Sequence, residues 1–249
     1  MTLLRLELLR MTRTHRWLAL VGIYVFFGVL GPVTARYIGE LLERFGTGDI
    51  VIEAPDPRPV DGIAQFIGNT SQLGLLAVVV VAAAALALDA RPEVAAFLRT
   101  RVDRAGTLLL PRFAVVAATA ALALVAGTAV AWALTGALLG GVSAGAMVVG
   151  TLLGMLYLVF AVAVVGAVAA ALRGVPAIAL GSLGVLILLP IVGLVPAIEV
   201  WLPSHLLAAV AGLVDGGSAG DYLRATLVTL AVTPVLVGFA MWRADRREL

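Results

Sequence analysis

Long apolar runs, each about the length of a bilayer crossing and each closed by charged or proline-containing residues, set the rhythm of this 249-residue chain. A helix rises about 1.5 Å per residue, so some twenty apolar residues cover a hydrocarbon core of roughly 30 Å. Six spans are predicted on this basis, over residues 17–34, 70–88, 113–134, 146–172, 175–190 and 222–242. Ahead of the first, residues 1–16 place Leu4, Leu8 and Met11 on one helical face and Arg10, Arg13 and Arg16 largely on the other. That pattern predicts an amphipathic helix lying along the membrane surface; no small-residue cleavage site marks it as a leader.

The connections carry the orientation signal. In residues 35–69 three arginines (Arg36, Arg44, Arg58) face six acids (Glu40, Glu43, Asp49, Glu53, Asp56, Asp61), which predicts an external segment. Within it, residues 37–45 suggest a short surface helix, and Ala54 to Pro59 an extended connector. Residues 89–112 reverse the balance, with Arg91, Arg99, Arg101, Arg104 and Arg112 against Asp89, Glu93 and Asp103, as expected of a cytoplasmic loop. Val94, Phe97, Leu98 and Val102 recur inside it at i, i+3, i+4 and i+8, the stripe of a short helix with one apolar face. Arg173 after the fourth span, and Arg243, Arg246 and Arg247 after the sixth, place those ends and both termini inside as well. Pro190, Pro196 and Pro203 follow one another too closely for an unbroken helix interior. The fifth helix is therefore expected to break near Pro190, with 191–221 forming an external hairpin or dip instead of a further crossing. The expected class is an all-α membrane protein of a single transmembrane domain over 1–249.

Composition agrees. Hydrophobic residues make up 62% of the chain and charged residues 13%, against roughly 45–50% and 25% in a soluble domain. A net charge of +2 is parcelled between spans, so it reads as topology and gives no surface for nucleic acid. All 17 basic residues are arginine; without lysine, a Walker-type nucleotide site in this chain is ruled out in its usual form. There is no cysteine, which excludes disulfides and thiolate metal sites. His15 and His205 lie too far apart along the chain to share a metal.

The remaining motifs have bland readings beside them. Gly141, Ser143 and Gly145 have nucleophile-elbow spacing, but they sit in a turn between spans, with no strand-turn-helix setting. Gly150 and Gly154 are spaced GxxxG, a pattern that ordinary packing within the subunit explains. Ionisable residues are rare within the spans. Only Glu199 comes close, in the proline-rich region, so Pro190, Pro196 and Glu199 are the candidate gate.

The order of elements resembles the membrane permease subunits of type-2 ABC exporters. The likeness is carried by the amphipathic N-terminal helix, the six spans, the basic loop after the second and the broken fifth helix. In that loop Asp89 and Arg91 resemble the family's acidic-basic opening, Phe97-Leu98 its leucine turn, Val102-Asp103-Arg104 its Val-Ser-Arg, and Leu108 to Arg112 its closing run. Gln65-Phe66, Asn69 and Gln72-Leu73-Gly74 resemble a subgroup with a long external segment before the second span. Pro92-Glu93 and Arg101 depart from the family's Gly-Thr and Pro.

The resemblance implies a transport subunit that is not catalytic alone. It would work in the plasma (inner) membrane of a prokaryote, among membrane lipids, with a second permease copy and separate ABC ATPase subunits that carry the ATP and Mg. No cofactor is implied in this chain. Val94, Phe97, Leu98 and Val102, rimmed by Arg99, Arg101 and Arg104, are the implied ATPase-coupling surface. The implied cargo is hydrophobic or amphipathic, on an apolar path lined by the second and fifth helices. An ATP-independent secondary transporter or channel is the alternative, and an intramembrane enzyme using Ser143 a third reading.

Overall fold

A computed structural model describes residues 3–45, 56–87 and 106–246, with side chains described over 3–40, 56–87 and 108–246. All its regular elements are helices, and six of them are long and apolar enough to cross a membrane: Arg16–Glu40, Pro59–Leu86, Leu108–Leu138, Ala144–Ala171, Val175–Val192 and Ala219–Arg246. This is the build of a multi-pass membrane protein. In chain order the helices are α1 (Leu3–Arg13), α2 (Arg16–Phe45), α3 (Pro59–Asn69), a π-helical turn (Thr70–Gly74), α4 (Leu75–Leu86), α5 (Gly106–Leu138), α6 (Ala144–Ala171) and α7 (Val175–Val192). Short pieces follow: α8 (Pro196–Glu199), a 3-10 turn (Pro203–Ala208) and α9 (Ala209–Val214). A second 3-10 turn (Ala219–Tyr222) then leads into α10 (Leu223–Arg246).

Several boundaries differ from those the pattern predicts, each for a physical reason. The first span does not stop at Thr34, because α2 continues through Pro32 to Phe45; residues 37–45 extend it and form no separate surface helix. Pro32 removes one N–H from the helical ladder without ending the helix. The second span begins at Pro59, eleven residues before Thr70. Pro59 takes the first helical position, while the Asp61 carboxylate accepts from the Arg58 backbone N–H at 2.7 Å and closes the free helix start. Arg112 lies within α5, one turn inside the third span. The fifth helix ends near Pro190 as expected: the proline sits in the last turn of α7, which ends at Val192. Among the described residues after it, none of the short helices is long enough to cross.

The bundle has two distinct ends. At one, α1 packs on α5, Arg112 reaches the end of α4, and Gly166 of α6 faces Leu86 of α4 and Ala240 of α10. At the other, Gly62 of α3 faces Leu139, α9 and the 3-10 turn Pro203–Ala208 form a cap against α6 and α3, and α8 rests on α7. The chain enters and leaves at the first end. A three-residue link there, whose Gly174 has φ +81°, turns α6 into α7. Only glycine takes that left-handed conformation without strain.

Glycines set how closely the spans cross. A Cβ on Gly127 of α5 would lie 2.6 Å from the Tyr24 carbonyl oxygen of α2, and one on Gly150 of α6 would lie 2.5 Å from the Val210 Cα of α9. Neither obstacle is a side chain that can swing away. The Gly150 half of the GxxxG pair therefore seats the cap within the subunit. We expect Gly127→Ala to destabilise the detergent-solubilised protein by about 2 kcal/mol, the ordinary size of an overpacking penalty. Gly22→Ala, with open space around its Cβ, should be neutral or slightly stabilising; thermal melting of the two variants checks the contrast.

Candidate functional site

The first end carries the site that the sequence only half announces. The α1 face turned to the bundle carries Met11, which is buried, and Glu7, half-buried beside it, while Leu4 and Leu8 of the predicted apolar stripe stay exposed. The reason is Arg112. Its Nε donates to Glu7 Oε1 at 3.0 Å and its NH1 donates to the Ala85 carbonyl at 3.5 Å. Ala85 lies in the last turn of α4, where carbonyls lack an intrahelical donor, so one guanidinium ties α1, α4 and α5 together. Only 10% of the Arg112 side chain and 20% of the Glu7 side chain are exposed, while Arg10 adds a second contact to Glu7 at 3.6 Å. The pair is short, directional and largely shielded from water, which sets it apart from an exposed surface ion pair.

The turn from α1 into α2 is equally fixed. His15 adopts φ 55°, the left-handed region, and the Thr14 hydroxyl donates to the Arg10 carbonyl at 2.8 Å, closing α1. The apolar residues Leu3, Leu4, Leu6, Leu8 and Leu9 remain exposed along α1, as an interfacial helix requires. Val94, Phe97, Leu98, Arg99, Arg101, Val102 and Arg104 lie outside the described residues. The latch sits at the described ends, Ala87 and Gly106, of the stretch that contains them.

At the opposite end the cap gathers most of the second set of candidates. Pro196 opens α8 and Glu199 closes it; both are exposed, as is Pro190. His205 Nδ1 lies 3.3 Å from Glu199 Oε1, and the His205 ring stacks on Tyr222 with centroids 4.8 Å apart. Arg224 stands 5.3 Å over the Trp201 ring, and Arg58 reaches Asp215 at 3.7 Å, tying the start of α3 to the cap. Glu199 thus contacts His205 in the cap and lies outside the six long apolar helices. Ser143 caps α6, its Oγ accepting from the Ala146 N–H at 3.4 Å on an exposed turn. Among the described residues no three metal-ligating side chains come together.

An apolar hollow of about 250 Å³ opens between α5 and α6, lined by Val125, Trp132, Met147, Leu152 and Met155 among others. It lies apart from the second and fifth spans, which pack on each other through α4 and α7.

Glu7, Arg112 and the Arg58–Asp215 tie are what sequence reasoning missed. The available signal for Glu7 was that it is the only acid among the first 39 residues. Comparison with family models, curated proteins and solved structures returned no match. We expect Glu7→Gln, which leaves Arg112 without its counter-charge, to cost about 2 kcal/mol. It should also speed tryptic cleavage at Arg10 and Arg13; the reversal Glu7→Arg with Arg112→Glu should recover part of the protection.

Proposed function

We propose that this chain is the membrane-spanning permease subunit of an ATP-driven exporter of the type-2 ABC class, moving a hydrophobic or amphipathic substrate out of the cytoplasm. The observation that carries the reading is the Glu7–Arg112–Ala85 latch. It binds the interfacial helix to the two spans that flank the segment bearing the Val94–Val102 stripe, so a push on that segment reaches three helices at once. Coupling over such distances needs a stiff element whose arrangement a partner biases, and the latch supplies the stiffness.

Charge supports the orientation. Among the described residues Arg5, Arg10, Arg13, Arg16, Arg112, Arg173, Arg243 and Arg246 gather at the latch end, against Arg36, Arg44, Arg58 and Arg224 towards the cap. By the positive-inside bias the latch end and both termini are cytoplasmic. The cap is then an external re-entrant hairpin following the fifth helix, with Pro190, Pro196 and Glu199 at the gate. In this reading the chain holds no cofactor; ATP and Mg belong to separate ATPase subunits docked on Phe97 and Leu98, with Arg99, Arg101 and Arg104 at the rim. The permease works with a second copy in a prokaryotic inner membrane.

Phe97→Asp and Leu98→Asp should each abolish copurification with the ATPase while leaving the permease monodisperse in detergent. Undiminished ATPase capture in both variants would remove the coupling role. Gradient-driven flux through the protein reconstituted alone would favour an ATP-independent transporter or channel.

A further inference from the structure

The second span exposes amides where a membrane has nothing to offer them. Gln65 and Gln72 are exposed and Asn69 is half-exposed. With Gly68 they stand at i, i+3, i+4 and i+7, on one helical face. Gln72 is the fourteenth residue of the twenty-eight in Pro59–Leu86, the middle of the crossing. Among the described residues none of the three side chains makes a hydrogen bond, although their hydroxyl neighbours do: Thr70 donates to the Phe66 carbonyl at 2.8 Å and Ser71 to the Gly68 carbonyl at 2.8 Å. Those two bonds lie at the start of the π-helical turn Thr70–Gly74. The widened turn keeps Gln72 on the outer face and swings Leu75 and Val79 into the core. Hydrocarbon gives an amide no partner, so polar residues in spans face protein or water.

From this we infer that the Gln65–Asn69–Gln72 face of the second span is a seam against the same face of a second copy of this chain. Amides both donate and accept, so a two-fold contact satisfies them with their own counterparts. Ala64 and Gly68, four residues apart on the same exposed face, let two backbones approach, and a Cβ on Gly68 meets nothing within 4 Å. Beyond Gln72 the exposed face becomes Leu73, Leu76 and Val80. A water-filled path would need polar lining towards both ends; a protein contact does not. The seam rests on the paired permease proposed above only in needing two copies, and not on the ATPase.

The absence of native cysteine makes the test direct. In oxidised native membranes, Gly68→Cys and Gln72→Cys should each give disulfide-linked dimers, because seam residues lie within bridging distance of their symmetry mates. Leu122→Cys, on an exposed position of α5, should stay monomeric. Asn69→Leu combined with Gln72→Leu should weaken dimerisation in detergent roughly tenfold, as expected from loss of interhelical hydrogen bonds. A Gln72→Cys thiol that takes a membrane-impermeant maleimide without cross-linking marks a water-lined path and overturns the seam; one that reacts only with a lipid-phase reagent marks a lipid-facing surface and overturns it equally. A dimer that captures the ATPase but cross-links at neither position refutes the seam alone. Cross-linking at Gly68 and Gln72 without ATPase capture upholds the seam and refutes the exporter reading.

Discussion

Inside hydrocarbon a polar group has no water to fall back on, and this constraint runs through the whole molecule. It makes every long element a helix, and it decides what the few polar side chains in the spans do. Thr119, Thr151, Thr229 and Thr233, and Ser182 on α7, fold back onto the carbonyl four residues earlier, at 2.6–2.7 Å. Arg112, a shielded cation one turn inside its span, is admitted because a carboxylate and a freed carbonyl meet it. The amides of the second span, and the buried hydroxyls of Thr128 and Thr135 on α5, are where the rule is unmet within one subunit.

The same economy shapes the packing. Alanine and glycine are frequent among the buried residues, and backbones meet at Gly127 and Gly150 without intervening side chains. With lipid tails as apolar as the side chains, close fit is what holds spans together, and small residues give the most of it. The cap is held by a different chemistry: a carboxylate contact and a ring stack at His205, a cation over Trp201, and Arg58 joined to Asp215. One end of the protein is therefore fixed by a shielded latch and the other by several exposed contacts, each of small individual worth.

How legible this was depended on what each feature looks like in one dimension. Six crossings stand out because nothing but a membrane tolerates such oily runs. Their edges slipped where helices run on into polar sequence. Pro59 and Asp61 form a helix start that reads as a rigid linker when Asp56 and Pro57 precede it, so the pattern leaves Gln65 and Asn69 in the external segment although they belong to a span. The fate of α1 turned on Glu7, whose partner lies 105 residues away, a distance no periodicity reports. Close approaches at particular glycines were hidden among 27 of them. The Val94–Val102 stripe stays a statement of sequence, since it falls outside the described residues.

The length of α2 has a mechanical corollary. Thirty residues from Arg16 to Phe45 form one continuous rod, about 45 Å long at the usual helical rise, against a hydrocarbon slab of roughly 30 Å. Its foot joins the latched α1 through the His15 corner, and its head projects past the slab on the far side. A tilt of about 5° at the foot sweeps the head through about 4 Å. A shift too small to break any contact at the base thus becomes, at the opposite surface, a displacement wider than a water molecule.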